Sequence, residues 1–233
     1  LMYSFTVNGK LVETEKEVSL LRFLRDDLKL KSIKDGCSQG ACGTCTIIID
    51  GKATRACVMT TKRAQGMNIV SVEGLSDFEK EAFVYAFGSK GAVQCGFCIP
   101  GMVMSGKALI DRNPNPTEDE IKEAIKGNIC RCTGYKKIIE GIDLAAQILR
   151  GDKKIDEELE KGDDFGVGSN AFRIDVRDKV LGIGEYVDDV ELENMLHVSA
   201  VRTKYPRARI LDIDVSEALA LEGVVAIYTS EDV

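Results

Sequence analysis

The decapeptide GCSQGACGTC at residues 36–45 holds three cysteines separated by small residues and glycines. Glycine lets the backbone turn tightly and come close to a bound group. All eight cysteines of the 233-residue chain lie between Cys37 and Cys132, and the chain has a single histidine, His197. Cysteines so closely spaced favour metal over disulfides in a reducing compartment. Any metal site here must therefore be built almost entirely from thiolates.

The first cysteine set consists of Cys37, Cys42 and Cys45 with the later Cys57. Its Cys-x4-Cys-x2-Cys spacing is that of plant-type [2Fe–2S] sites. Three ligands come from one glycine-rich loop, whose N–H groups can point at the sulfurs and raise a reduction potential. The alternatives are a zinc site or unconnected buried cysteines. Zinc typically uses paired Cys-x2-Cys motifs, so this spacing favours iron–sulfur.

The second cysteine set consists of Cys95, Cys98, Cys130 and Cys132. Taken alone, its spacing leaves zinc and iron–sulfur about equally favoured. Cys98 lies directly before one predicted helix, and Cys132 lies three residues before another. Because helix N-termini stabilise negative charge, and a four-thiolate cluster is anionic, this placement favours a second [2Fe–2S] cluster.

Outward from the first set, residues 1–75 show the pattern of a small sheet. Asn-Gly at 8–9 and Asp-Gly at 50–51 are typical turns of two-residue hairpins, and the second hairpin returns through 52–59. Apolar residues over 18–28 recur at helical spacing. Two hairpins, one helix and a late strand predict a β-grasp ferredoxin-like domain.

Residues 76–150 change to helical periodicity. Apolar stripes predict four helices, which begin near Phe78, at Ile99, after a capping box at 117–120, and near Ile138. The predicted fold class is therefore α+β. A β-grasp [2Fe–2S] domain would be followed by a four-helix [2Fe–2S]-binding domain.

The remainder of the chain has a different character. Residues 151–167 are rich in charge and poor in apolar periodicity, which predicts a linker. Residues 168–233 are expected to be a truncated α/β segment. The predicted strands lie at 196–200, 210–214 and 224–228, and the predicted helix lies at 216–221.

Composition excludes several classes of function. The net charge is −7 without a large basic patch, so nucleic-acid binding is not expected. No apolar run reaches the roughly 18–20 residues of a membrane span, and the N-terminus lacks the pattern of a signal peptide. Nucleotide-binding G-x-G-x-x-G and P-loop motifs are absent. A cytoplasmic protein is the expectation.

Three segments, GCSQGACGTC at 36–45, QCGFCIPGMVM at 94–104 and GNICRCTGY at 127–135, resemble the iron–sulfur portion of the xanthine dehydrogenase and aldehyde oxidoreductase family of molybdenum hydroxylases. The resemblance covers residues 1–150. In addition, VLGIGEYVDD at 180–189 is similar to the start of the family's molybdenum-binding part.

The resemblance implies a role for each cysteine set. The first set would hold an outer cluster and the second an inner cluster beside a molybdopterin cofactor. The matching positions for pterin contacts are Gln94 and Cys132. No catalytic residue of the molybdenum site is expected within the chain, which would be a fragment, a subunit or the product of an interrupted reading frame, and which would need the remaining molybdenum-binding portion or subunit as its partner.

The family reaction hydroxylates a purine-like heterocycle or an aldehyde, and electrons leave singly through the inner and outer clusters. Many members carry a flavin domain where this chain has only the linker. The resemblance therefore implies FAD on a separate subunit or a ferredoxin-like acceptor. Two alternatives are a stand-alone two-cluster electron carrier and a zinc-stabilised interaction module. The tail from 168 onward argues against the carrier, and the first cysteine set argues against the module.

Overall fold

A five-stranded mixed sheet occupies the N-terminal part of the structure, a computed structural model that describes residues 2–156 and 172–232. Its order is β2-β1-β5-β3-β4, in which β1 and β5 are parallel and the other neighbours antiparallel. Both predicted hairpins are confirmed. The strands are β1 (Tyr3–Val7), β2 (Lys10–Thr14), β3 (Thr46–Ile49), β4 (Lys52–Arg55) and β5 (Asn68–Val70).

The second hairpin departs from the prediction in one respect that matters for the metal centres. The predicted return strand 52–59 is wrong beyond Arg55, where the chain enters the 3₁₀ turn Ala56–Val58. The Ala56 N–H still donates to the Cys45 carbonyl at 3.1 Å, one step beyond the Thr46–Arg55 pair, but the chain then turns and the Met59 N–H donates back to the Ala56 carbonyl at 3.2 Å. This bend carries Cys57 back toward the start of β3.

The predicted helix of the sheet domain is present as α1 (Leu20–Arg22), which continues as a π-helical turn, Phe23–Asp27. Its apolar side chains cover one face of the sheet. Leu20 and Leu24 are fully buried there with Phe5 and Ile47. Burial of this kind contributes about 1.5–3 kcal/mol for each large apolar side chain.

Four helices follow between residues 77 and 149, as predicted. Capping boxes begin two of them, with Ser76 and Glu79 at α2 and Thr117 and Glu120 at α4. Helix α2 packs on α5, α3 packs on α4, and α5 also contacts α3 and α4. The helices are α2 (Asp77–Ser89), α3 (Ile99–Arg112), α4 (Glu118–Ile125) and α5 (Lys136–Leu149).

Strand β3 joins the two parts because both of its faces are covered. Ile47 and Ile49 pack with α1, whereas Ile48 belongs to the core of the helices. Helix α3 lies against β3. A methyl group on Gly101 of α3 would lie 2.6 Å from the carbonyl oxygen of Gly43, so only glycine permits this approach. The loop of the first cysteine set is thereby pressed against the helices.

A further helix, α6 (Val176–Leu181), was not predicted. It packs on α2 and α3 and buries Val176 and Val180 in the helical core. The first compact unit of the chain, Leu1–Asp188, therefore includes it. The predicted linker 151–167 lies outside the described residues from 157 onward.

The second compact unit is Asp189–Val233. Its only helix within the described residues is α7 (Ser216–Leu219), close to the predicted 216–221. The three predicted strands at 196–200, 210–214 and 224–228 are wrong, since residues 172–232 contain no strand. Strands require paired neighbours, and these segments have none there. No helix among the described residues is long and apolar enough to cross a membrane.

Replacing Gly101 with alanine tests the contact between α3 and the first cysteine loop. Overpacking should cost about 1–3 kcal/mol, and the higher helix propensity of alanine returns at most about 1 kcal/mol. We expect a lower free energy of unfolding, measured by urea denaturation. The control is Gly184→Ala, whose new methyl group would meet its nearest atoms at an ordinary 3.5 Å. An equal stability of both variants would contradict the close packing.

Candidate metal centres

The loop at 36–45 curls around the sulfur of Cys37. The N–H groups of Gln39 and Cys42 each donate to Cys37 Sγ at 3.4 Å. Gly40 and Gly43 adopt left-handed conformations, with φ of 73° and 71°, which make the curl possible. The N–H groups, led by that of Gln39, lower the pKa of Cys37 to about 7. The loop is thus prepared to hold a thiolate.

Cys45 and Cys57 complete the first set at the base of the second hairpin. Cys45 lies directly before β3 and is only 3% exposed. Burial raises the pKa of its thiol to about 12. A thiol in this setting becomes a thiolate when a metal ion supplies the compensating positive charge.

The second set lies between the ends of helices, as predicted. Cys98 is the N-cap residue of α3, and burial raises the pKa of its thiol. Burial acts the same way on Cys130, but the hydroxyl of Thr133, 3.2 Å from Cys130 Sγ, and nearby N–H groups outweigh it and lower its pKa. The Cys130 N–H donates to the Tyr135 hydroxyl at 2.9 Å. Tyr135 is the residue that precedes α5.

The thiols of each set lie in two neighbouring pairs, and the two pairs of a set lie close enough to interact electrostatically. Among the described residues, no three histidine, cysteine or acidic side chains converge as a site for a single metal ion. Two pairs of thiols fit a two-iron cluster, in which two irons share four cysteines. The pairs are Cys37–Cys42 and Cys45–Cys57 in the first set, and Cys98–Cys130 and Cys95–Cys132 in the second.

Hydrogen bonds connect the two sets directly. The Ile129 N–H donates to the carbonyl of Cys42 at 2.8 Å. The buried amide of Asn128, 4% exposed, donates to the Gly43 carbonyl at 2.9 Å and accepts from the Ser105 hydroxyl at 2.8 Å. The two cysteine loops are therefore in direct contact through their backbones.

Arg55 forms a second bridge between the same loops. Its guanidinium donates to the Gly40 carbonyl at 2.7 Å and to the Gly127 carbonyl at 3.0 Å. One planar group with several fixed donors can span two acceptors in this way, whereas an ammonium acts as a point charge. Sequence reasoning missed both Arg55 and Asn128 as residues of the site. Asn128 lies inside the GNICRCTGY segment, but Arg55 carries no sequence signal.

Gln94 and Cys132, the predicted pterin contacts, are both exposed beside the second set. The Gln94 carbonyl accepts from the Arg173 guanidinium at 2.7 Å. Cys95 is exposed as well, whereas Cys98 is buried. The second set is thus exposed at Gln94, Cys95 and Cys132 and buried at Cys98.

The fold and the paired thiols define an iron–sulfur protein of the electron-transfer type. Family models agree along most of the chain. The model described as "2Fe-2S iron-sulfur cluster binding domain" matches residues 2–82, and "[2Fe-2S] binding domain" matches 71–143. "Aldehyde oxidase and xanthine dehydrogenase, a/b hammerhead domain" matches 181–233.

Three individual proteins are similar to this chain. The aldehyde oxidoreductase of Megalodesulfovibrio gigas is 38% identical over 98% of this chain and 26% of its own length. The nicotinate dehydrogenase small FeS subunit of Eubacterium barkeri is 42% identical over 62% of this chain and 94% of its own length. The crystal structure of the aldehyde oxidoreductase from Desulfovibrio desulfuricans superposes with a TM-score of 0.85 at 36% identity, over 100% of this chain and 27% of that one.

The chain belongs to the xanthine dehydrogenase and aldehyde oxidoreductase family. It spans about a quarter of the length of the aldehyde oxidoreductases that it matches.

Arg55→Ala tests the bridge between the loops. Loss of a charged donor from two carbonyls should lower the free energy of unfolding by about 1–3 kcal/mol, measured by urea denaturation. Arg55→Lys should recover only part of this loss, because one ammonium cannot span both acceptors. The control is Arg63→Ala, which removes a single long hydrogen bond to Val58 at 3.3 Å. Equal losses at Arg55 and Arg63 would show that the bridge contributes nothing.

Proposed function

We propose that this chain transfers electrons between two [2Fe–2S] clusters within a molybdenum hydroxylase. The first cysteine set would hold the outer cluster on a β-grasp domain, and the second would hold the inner cluster in a four-helix domain. When bound, each cluster accepts and releases one electron at a time. The residues of the chain supply the thiolates, the N–H donors around them and the connection between the two sites.

One observation carries this proposal, namely the hydrogen bond from the Ile129 N–H to the Cys42 carbonyl. Cys42 belongs to the first set, and Ile129 is covalently bonded to Cys130 of the second. A ligand of one cluster is thereby linked to a ligand of the other through the backbone and a single hydrogen bond. Such a short bonded route suits the passage of an electron between the clusters. Structural zinc ions do not exchange electrons, so two zinc sites would not require such a route.

The exposed part of the second set supports the proposed contact with a molybdopterin. Gln94 and Cys132 are both exposed there, at the positions that the family resemblance assigns to the pterin. The first set lies on the opposite side of the Ile129–Cys42 contact. Electrons would therefore enter at the second set and leave through the first.

The comparisons support a continuous arrangement of the iron–sulfur and molybdenum parts. The alignment with the M. gigas aldehyde oxidoreductase runs over 239 residues and 98% of this chain, which leaves no room for an inserted flavin domain. We propose that a molybdenum-binding portion or subunit completes the enzyme. FAD on a separate subunit, or a ferredoxin-like protein, would then receive the electrons. The substrate would be an aldehyde or a purine-like heterocycle.

Metal analysis with EPR tests the cluster assignment. The anaerobically purified chain should contain about four irons and four sulfides, with two distinct EPR signals after dithionite reduction. Cys57→Ser should alter only the outer-cluster signal, and Cys132→Ser only the inner one. Two irons with one zinc would make the second set structural. A change of the same signal in both variants would contradict the assignment of ligands.

Ile129→Pro tests the hydrogen-bonded connection, because proline lacks the N–H that donates to Cys42. We expect slower electron transfer between the clusters, measured by EPR after rapid freezing of partly reduced samples. Ile129→Ala is the matched control, since it keeps the N–H and shortens a side chain that is 54% exposed. Equal rates in both variants, with both clusters intact, would remove this hydrogen bond from the electron route.

A further inference from the structure

Residues 172–186, which we name the covering segment, lie across the ligand loop Cys95–Cys98. At one end of the loop, the Arg173 guanidinium donates to the carbonyls of Gln94 at 2.7 Å and Val93 at 3.2 Å. Arg173 also lies close enough to Cys95 for an electrostatic interaction between the two side chains. The contact begins immediately before the first thiol of the second set.

Lys179 covers the middle of the loop. A methyl group on Gly96 would lie 2.6 Å from Lys179 Cδ and 2.7 Å from its Cβ, so the lysine stem rests on the bare glycine backbone. Gly96 adopts a φ of +85°, which also favours glycine. The aliphatic stem therefore packs between Cys95 and Cys98, and its ammonium group stays beside the loop.

Tyr186 holds the far side of the loop. Its hydroxyl donates to the Cys95 carbonyl at 2.8 Å, and its ring packs edge-on against Phe97 with centroids 5.3 Å apart. Two ammonium groups lie over the same ring, with Lys179 Nζ at 4.2 Å and Lys34 Nζ at 5.0 Å from its centroid. The Tyr186 ring attracts both ammonium groups and thereby holds positive charge next to the loop.

The covering segment is attached to the helices by buried side chains and by an ion pair. Val176 and Val180 of α6 are buried in the helical core. Arg177 forms a two-pronged ion pair with Glu81 of α2, at 2.6 Å and 2.7 Å. The position of Lys179 and Tyr186 over the ligand loop is therefore set by packing on both sides of Lys179.

We infer that Lys179 and Tyr186 are positioning residues that raise the reduction potential of the cluster held by the second cysteine set. The inference rests on the proposed function, since it requires a cluster at this set. Reduction adds one electron to an already anionic centre, so a fixed cation beside the ligand loop stabilises the reduced form. The Tyr186 hydroxyl acts in the same direction, because it draws electron density from the carbonyl of a ligand residue.

The test is an EPR-monitored redox titration of the full cluster-loaded chain. Lys179→Gln should shift the midpoint potential of the inner cluster to more negative values and leave the outer cluster unchanged. Lys179→Arg keeps the charge and should stay near the wild-type potential. Tyr186→Phe keeps the ring, loses the donor and should shift the inner potential in the same negative direction.

The matched control is Lys10→Gln, which makes the same charge change on the exposed β1–β2 hairpin. Unchanged inner potentials in both Lys179→Gln and Tyr186→Phe, with both signals present, would overturn the inference and leave the proposed function intact. A wild-type chain without two signals would instead overturn the proposed function. If circular dichroism shows that the Lys179→Gln variant is unfolded, the inner-cluster potential of the Tyr186→Phe variant alone tests the inference.

Discussion

The buried amide of Asn128 is the contact on which the relation between the two cysteine sets depends. Its oxygen accepts from Ser105 of α3, and its nitrogen donates to the Gly43 carbonyl and to Thr46 at the start of β3. Helix, strand and cysteine loop are thus joined at one buried polar group. An apolar side chain at this position would leave the buried Ser105 hydroxyl without this acceptor in the interior, which is costly.

The same buried surroundings impose a chemical condition on the thiols. Cys37 is curled into N–H donors that lower its pKa, but Cys45 and Cys98 lie where burial raises theirs. The fold alone therefore does not stabilise all of the thiolates that it brings together. Bound metal would supply the missing positive charge, and the close packing holds the thiols in the pairs that two irons would need.

Features with local causes could be predicted from the sequence. The Asn-Gly and Asp-Gly turns correctly predict both hairpins, and the capping box at Thr117 correctly predicts the start of α4. Features that arise from distant contacts could not be predicted. The strand expected to reach 59 ends at Arg55, where the chain turns, and the Met59 carbonyl accepts instead from the Leu20 N–H, 39 residues earlier. Arg55 itself bridges carbonyls 15 residues before it and 72 residues after it, and no periodicity marks such a residue.

Helix α6 shows why a change in composition does not locate the end of a folded unit. A helix of six residues is too short to be stable in isolation, and α6 persists because Val176 and Val180 complete the helical core. The hammerhead match begins at residue 181, at the end of this helix. Tyr186, which donates to the Cys95 carbonyl, lies only two residues before the first compact unit ends at Asp188, so the folded unit extends past the point where the hammerhead match begins and ends beside the ligand loop of the second set.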